Sequence, residues 1–215
     1  MEFLSQCLSL FHKGGPVMYL LVLCSFAVIT IAIERFLYYK GVSTDTQAFL
    51  TKLQPLLERQ RTTEAIQLCE KMPKVVSHVA LEGLKAYQRG SNVENALESA
   101  AQLSSARLRE SLNFLSAIVT LSPLFGLLGT VIGMINSFSV FNVQAGQPMA
   151  ITGGVGEALI ATATGLTVAV MALLSHTYFC HRLDKFVTDM EQVCATTINY
   201  LLAKKTARRE NHEIA

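Results

Sequence analysis

The chain has 215 residues, of which 51% are hydrophobic and only 16% charged, and its mean hydropathy is +0.37. In soluble domains about a quarter of the residues are charged, so this composition predicts a membrane protein. The net charge of +2 does not point to a nucleic-acid partner. Five cysteines lack CxxC spacing and five histidines form no HExxH, so we expect neither a disulfide framework nor a metal site.

The N-terminal part predicts one membrane-spanning helix. Residues 1–15 form a short amphipathic lead-in, which we place on the periplasmic membrane surface. Residues 16–33 contain no charge, and 18 such residues meet the length of a transmembrane helix. We assign this helix to 16–39, because an aromatic and basic belt follows the apolar run. A cleaved signal peptide fits poorly, since the positive charge follows the apolar run.

Residues 40–110 predict a cytoplasmic helical domain. Phe49, Leu53 and Leu57 give one apolar stripe, and Met72-Pro73 interrupts the pattern so that Pro73 opens a further helix. The sequence from Ser91 to Glu94 matches a capping box. From there we predict one long helix that enters the membrane and continues to about residue 141.

A run of 46 residues, 111–156, contains no Asp, Glu, Lys or Arg. As one helix it would be roughly 69 Å long, whereas the hydrocarbon core of a bilayer is about 30 Å thick. We therefore predict a second transmembrane helix over 111–141, a periplasmic turn over 142–153 and a third transmembrane helix over 154–180. Residues 181–215 then form a cytoplasmic helix and a tail that frays from Lys204.

The basic residues predict the orientation. Of 18 lysines and arginines, only Lys13 precedes the first span and none lies in the turn after the second. The positive-inside rule places the remaining 17 in the cytoplasm. The expected protein is all-α, with three transmembrane helices, a periplasmic N-terminus and a cytoplasmic C-terminus.

Small and hydroxyl residues form a stripe along the second span. They recur every three or four residues: Ser116, Thr120, Pro123, Gly126, Thr130, Gly133 and Ser137. Small residues let membrane helices approach closely, and Gly129 and Gly133 also form a GxxxG. The stripe is either a packing seam or a surface that hydrates a polar guest.

The third span carries a similar small-residue face that includes Thr162 and Gly165, and it begins with an acid, Glu157. On an ideal helix Glu157 lies about 140° from Thr162. Either the helix is distorted near residues 154–156, or Glu157 faces a neighbouring subunit. Two functions remain open for this side chain: an ion pathway, or a carboxylate that reaches the outer surface or is paired structurally.

Three segments of the chain resemble the ExbB/TolQ/MotA proton-channel family. These are IERFLYY (33–39), SPLFGLLGTVIGMINSF (122–138) and GEALIATATGLTVAV (156–170). Two long motifs in the same order make the resemblance specific, and it covers all three spans. The absence of a Walker motif, a GxSxG and a carboxylate dyad agrees with a protein that is no enzyme and needs no cofactor.

The resemblance implies a homopentamer in the bacterial inner membrane. Its pore would hold two copies of a single-span partner of the ExbD or TolR kind, whose transmembrane aspartate carries protons. By motif position, Thr130 and Thr162 would line the pore, with Glu157 in the ion pathway and Pro123 bending the second span. Gly126, Gly129, Gly133 and Gly165 would allow close packing.

Three spans favour an ExbB-like or TolQ-like protein over a MotA-like one. The ExbB-like alternative is a motor subunit that energises outer-membrane transport, with a TonB-like protein as a further partner. The TolQ-like alternative maintains the envelope. A non-conducting membrane scaffold and an independent channel are the other hypotheses. The sequence contains no mid-membrane acid that could carry protons alone, so a partner carboxylate is expected on physical grounds as well.

Overall fold

The computed structural model describes residues 15–43, 45–72, 74–143 and 148–213, and its side chains except those of 140–152 and 202–213. Every regular element in these residues is an α-helix. There are six in the described part: α1 (Val17–Val42), α2 (Thr46–Glu58), α3 (Thr62–Lys71), α4 (Val75–Gln88), α5 (Val93–Val143) and α6 (Pro148–Glu213). The prediction of an all-helical protein is confirmed, while the predicted lead-in, 1–15, lies outside the described residues except for Gly15.

The starts of the helices follow from local chemistry. The Asp45 carboxylate accepts a hydrogen bond from the N–H of Ala48 (3.1 Å) and caps α2. Helix α5 is capped by Asn92, whose side-chain oxygen accepts from the N–H of Asn95 (3.2 Å). The capping box that we predicted from Ser91 is therefore one residue out of register. Pro73 lies outside the described residues, and α4 begins two residues after it.

The two long helices extend further than the sequence predicted. Helix α5 runs to Val143 and α6 already begins at Pro148, so the helices occupy most of the predicted turn, 142–153. Only 144–147 lie outside the described residues there. Helix α6 also continues to Glu213, whereas we expected fraying from Lys204. Helix formers such as alanine, lysine and arginine dominate this tail, which explains the longer helix.

Among the residues that the structure describes, three helices are long and apolar enough to cross a membrane. They are found within Val17–Glu58, Val93–Ser139 and Gly153–Leu201. The chain divides into two compact units, of which the first comprises residues 1–35 and 111–179. In this unit large apolar side chains are exposed on each span, for example Phe26 (72%), Phe114 (65%) and Leu174 (67%). Such surfaces suit lipid or neighbouring helices.

The second unit comprises residues 36–110 and 180–215 and has an apolar core. The predicted stripe on α2 is buried, since Phe49, Leu53 and Leu57 are each at most 2% exposed. Tyr39 is also buried: its ring packs edge-on against Phe186 at 5.4 Å between centroids. Its hydroxyl donates a hydrogen bond to the carbonyl oxygen of Leu108 (2.9 Å).

We expect Tyr39→Phe to lower the free energy of unfolding by about 1–3 kcal/mol, because it removes the donor from a buried carbonyl oxygen. Thermal unfolding in detergent, followed by circular dichroism, measures this change. The matched control is Tyr38→Phe, at the neighbouring tyrosine, which is 40% exposed. An equal loss of stability in both variants would contradict a specific contribution from the Tyr39–Leu108 bond.

Candidate functional site

Helices α5 and α6 approach each other through glycines in the membrane-spanning part of the first unit. A Cβ added to Gly165 would lie 2.6 Å from the carbonyl oxygen of Ser122 and 2.9 Å from Cα of Gly126. A Cβ on Gly126 would lie 3.2 Å from Cα of Thr162. Because these neighbours are backbone atoms, the two helices are in direct main-chain contact. Such contact is typical of small-residue seams in membrane proteins.

The same contact continues along the helices through Gly129 and Gly133. A Cβ on Gly129 would lie 2.4 Å from Cβ of Ala161, and one on Gly133 would lie 2.9 Å from the carbonyl oxygen of Gly154. The buried residues of α5 on this side are Ser122, Gly126, Gly129, Gly133 and Ser137, which we call the packing face. All four glycines that the sequence singled out for close packing thus lie at the α5–α6 contact.

The predicted stripe combines two faces of α5. Ser116, Thr120 and Thr130, which we call the hydroxyl face, are exposed or half-buried within one chain. At about 100° per residue they lie on average roughly 100° around the helix from the centre of the packing face, with Thr130 nearest to that face and Thr120 furthest from it. The stripe is therefore neither wholly a seam nor wholly a polar surface. The packing face contacts α6, and the hydroxyl face remains accessible to another molecule.

The two threonines proposed for the pore lie close to each other along the helix pair. The Thr162 hydroxyl donates a hydrogen bond to the carbonyl oxygen of Gly126 (3.1 Å). Thr130 lies one turn further along α5, and its hydroxyl donates to the carbonyl oxygen of Leu127 (2.6 Å). Both side chains are half-buried. In each, the hydroxyl proton is donated to the backbone, so the oxygen keeps the capacity to accept from an outside donor or to bind a cation.

Pro123 lies inside α5, which continues through it as one helix. A proline has no N–H and therefore removes one hydrogen bond from the helix. It is half-buried, next to the packing face. Its role as a bend in the span stays a prediction.

The Glu157 carboxylate has a neighbour that the sequence did not suggest. A Cβ on Gly15 would lie 1.8 Å from Oε1 of Glu157, so the carboxylate lies against the backbone at the start of α1. Gly15 has a φ of +71°, a conformation that glycine adopts readily. The partial positive charge of a helix N-terminus favours a carboxylate there. Within one chain, this contact supports the structural alternative for Glu157.

Residues 154–156, where one of our two alternatives placed a distortion, belong to the continuous helix α6. On the Glu157 side of α6, Ala161 is fully buried against Gly129. Glu157 and Thr162 therefore point in different directions, as the helical angle predicted. The structure does not bring Glu157 together with the two threonines.

Sequence analysis did not single out Ser122, although it is fully buried in the packing face. Its position four residues before Gly126 could have identified it. Residues 122, 126, 129 and 133 fall on a narrower helix face than the stripe that we selected. The contact between Gly15 and Glu157 had no comparable signal, because it joins residues far apart in the sequence.

The chemistry of this helix pair is that of an acceptor surface. It offers hydroxyl oxygens and main-chain carbonyls, while residues 111–156 supply no ionisable side chain. Such a surface can stabilise a protonated carboxyl group or a desolvated cation. Between residues 111 and 156 the chain has no group of its own that could exchange protons at mid-membrane.

Comparison with known proteins agrees with this description. The profile of the MotA/TolQ/ExbB proton channel family matches residues 70–192. A biopolymer transport protein from Methanothermobacter thermautotrophicus, described as an ExbB homologue, is 28% identical over 194 residues, covering 89% of this chain and 69% of that protein. An ExbB-like biopolymer transport protein from Synechocystis is 34% identical over 171 residues, covering 76% of this chain and 66% of that protein.

A TolQ protein of the Tol-Pal system from Pseudomonas aeruginosa is 36% identical over 96 residues, covering 44% of this chain and 42% of that protein. In fold, the chain is similar to a solved structure of MotAB from C. jejuni, with a TM-score of 0.62 at 14% identity, over 88% of this chain and 79% of that one. The resemblance drawn from the motifs is confirmed: the chain belongs to the MotA/TolQ/ExbB proton channel family.

Proposed function

We propose that this chain is a subunit of an ion-driven motor in the bacterial inner membrane, acting with a single-span partner that carries a transmembrane carboxylate. The subunits form a homopentamer around that partner, with the N-terminus periplasmic and the C-terminus cytoplasmic. Two copies of an ExbD-like or TolR-like protein occupy the pore. Proton flow through their aspartates moves one component relative to the other.

The observation that carries this proposal is the hydroxyl face of α5. Its side chains lie in a charge-free span and are exposed or half-buried within one chain. The hydroxyls of Thr120 and Thr130 donate to carbonyls of their own helix, which leaves their oxygens as acceptors for a donor from another molecule. Neighbouring lipid could not satisfy their oxygens. A pore that holds a protonated or hydrated carboxylate would supply hydrogen-bond donors to these oxygens. Thr162, on α6, lies next to the part of α5 that carries Thr130.

An ExbB-like role, in which the motor energises TonB-dependent transport across the outer membrane, is the function we favour. Its support is that the relatives covering 89% and 76% of this chain are described as an ExbB homologue and an ExbB-like protein. The TolQ relative supports the alternative of envelope maintenance. The partner distinguishes the two: an ExbD-like protein supports the first and a TolR-like protein the second.

The native mass of the complex tests the proposal. We expect the complex, purified in mild detergent from its own host, to contain five copies of the 23.5 kDa chain and two copies of a smaller single-span protein. Native mass spectrometry resolves both numbers, and peptide sequencing identifies the partner. A monomer or dimer without a small partner would refute the motor and favour a scaffold.

A further inference from the structure

A cavity of about 440 Å³ opens in the second unit, and its lining shares no residue with the packing or hydroxyl face. We call it the basic pocket, and its lining includes Tyr38, Glu70, Lys74, His78, Leu81 and Arg107. Its lining combines these polar groups with the apolar side chains of Val75 and Leu81. None of these residues has a part in the ion pathway, so the cavity calls for a separate explanation.

The charge balance of the basic pocket favours an anion. Lys74 and Arg107 are two cations against the single carboxylate of Glu70. Among the described residues, the recorded ion pairs involve none of these three side chains. Cys69 also lines the cavity, but burial, together with the charge of Glu70, raises the pKa of its thiol to about 12. It therefore stays neutral and adds no opposing charge.

The start of α4 adds to this positive potential. Lys74 and Val75 line the cavity where α4 begins, and the first N–H groups of a helix have no partner within it. A lysine side chain has only donors and cannot cap them. The Lys74 ammonium donates one hydrogen bond to the carbonyl oxygen of Gly41, which leaves two of its three donors for a ligand. Helix N-termini with nearby cations are common phosphate sites.

Two residues of the basic pocket lie close, along their own helices, to the charge-free runs that we assign to the membrane. The first charge-free run ends at Ile33. Tyr38 lies five residues later in α1, which is about 7.5 Å along the helix at 1.5 Å per residue. Arg107 precedes Ser111, where the next charge-free run begins, by four positions, or about 6 Å. The headgroup layer is roughly 5–8 Å thick on each side of the hydrocarbon core.

We propose that the basic pocket binds the phosphate group of an anionic phospholipid from the surrounding leaflet. Lys74, Arg107 and the first amides of α4 hold the phosphate, and His78 donates a further hydrogen bond. The start of the lipid's acyl region packs against Val75 and Leu81. A soluble phosphate ester shares the anion chemistry, but it lacks an acyl chain that could contact Val75 and Leu81.

Lipid retention tests this proposal on the full-length complex. The complex is reconstituted in nanodiscs of equal parts phosphatidylcholine and phosphatidylglycerol, extracted in mild detergent and weighed by native mass spectrometry. We expect phosphatidylglycerol to be retained over phosphatidylcholine. Lys74→Gln and Arg107→Gln should each reduce that preference about fivefold, as expected for one basic residue near an anionic surface.

The matched controls are Lys71→Gln and Arg109→Gln, which remove the same charges from exposed positions outside the lining. They should retain the lipid as the unaltered protein does. Equal retention by pocket and control variants would overturn the proposal. Binding of glycerol 3-phosphate to the pocket, with lipid retention unchanged in every variant, would overturn it as well and assign the pocket to a soluble phosphate.

A gain of binding excludes misfolding as the explanation. Glu70→Gln removes the opposing charge from the pocket, and we expect it to raise phosphatidylglycerol retention severalfold at the same complex yield. Damage to the fold cannot produce this result. Unchanged or reduced retention in a folded Glu70→Gln complex would contradict the electrostatic basis of the site.

Discussion

Replacing Gly165 by alanine is expected to disrupt the membrane-spanning helix pair. The new Cβ would lie 2.6 Å from the carbonyl oxygen of Ser122 and 2.9 Å from Cα of Gly126, and neither backbone atom can rotate away. The helices would have to separate, which also removes the hydrogen bond from Thr162 to Gly126. Overpacking of this kind costs about 1–3 kcal/mol or more.

The chain supplies its own controls for this substitution. Gly153 and Gly156 lie on the same helix, and a Cβ at either would meet nothing within 4 Å. Alanine there should be neutral or slightly stabilising, since it has a higher helix propensity than glycine. Gly126→Ala should fall between, because its Cβ would lie 3.2 Å from its nearest neighbour.

Thermal stability and the yield of assembled complex in mild detergent measure this series. We expect Gly165→Ala to give the lowest yield, followed by Gly126→Ala, with Gly153→Ala and Gly156→Ala close to the unaltered chain. If Gly165→Ala were as stable as Gly156→Ala, the two helices would not be in main-chain contact. The packing face would then need a different assignment.

The sequence was sufficient to predict three spans because length and charge decide them. A charge-free run longer than the thickness of a bilayer must turn. The stripe of small and hydroxyl residues on the second span indicated either a packing seam or a surface that hydrates a polar guest. What it could not predict was the division between the packing face and the hydroxyl face. Ser116 and Ser122 are both small hydroxyl residues in one apolar run, and only the position of α6 decides which of them is buried.

Glu157 shows a second limit of sequence reasoning. Its position on α6 relative to Thr162 followed from helical geometry, and the structure agrees with that angle. Its neighbour did not follow, because Gly15 precedes α1 and lies more than a hundred residues away in sequence. Contacts between distant elements depend on packing, which a period of 3.6 residues does not encode. The motif suggested an ion pathway, whereas the local contact supports a structural role.

Thr130→Val is expected to reduce ion conduction while the complex still assembles. Valine has nearly the same shape but lacks the hydroxyl oxygen that we propose faces the partner's carboxyl group. A hydrogen bond of this kind in a membrane is worth roughly 1–2 kcal/mol, or about 5- to 30-fold in rate. Assembly should persist, because the Thr130 hydroxyl bonds to its own helix, at Leu127, and not to α6.

Thr130→Ser is the matched control, since it keeps the oxygen and should conduct ions like the unaltered protein. Thr162→Val does not separate conduction from stability. It also removes the hydrogen bond to the carbonyl oxygen of Gly126, so it should lower both. Proton uptake into liposomes that contain the complex with its partner, followed by an internal pH dye, measures all three. Equal conduction by Thr130→Val and Thr130→Ser would remove the hydroxyl from the ion pathway. The half-buried oxygens of α5 would then serve contacts between subunits, and the carboxylate of the partner would have to be solvated by water alone.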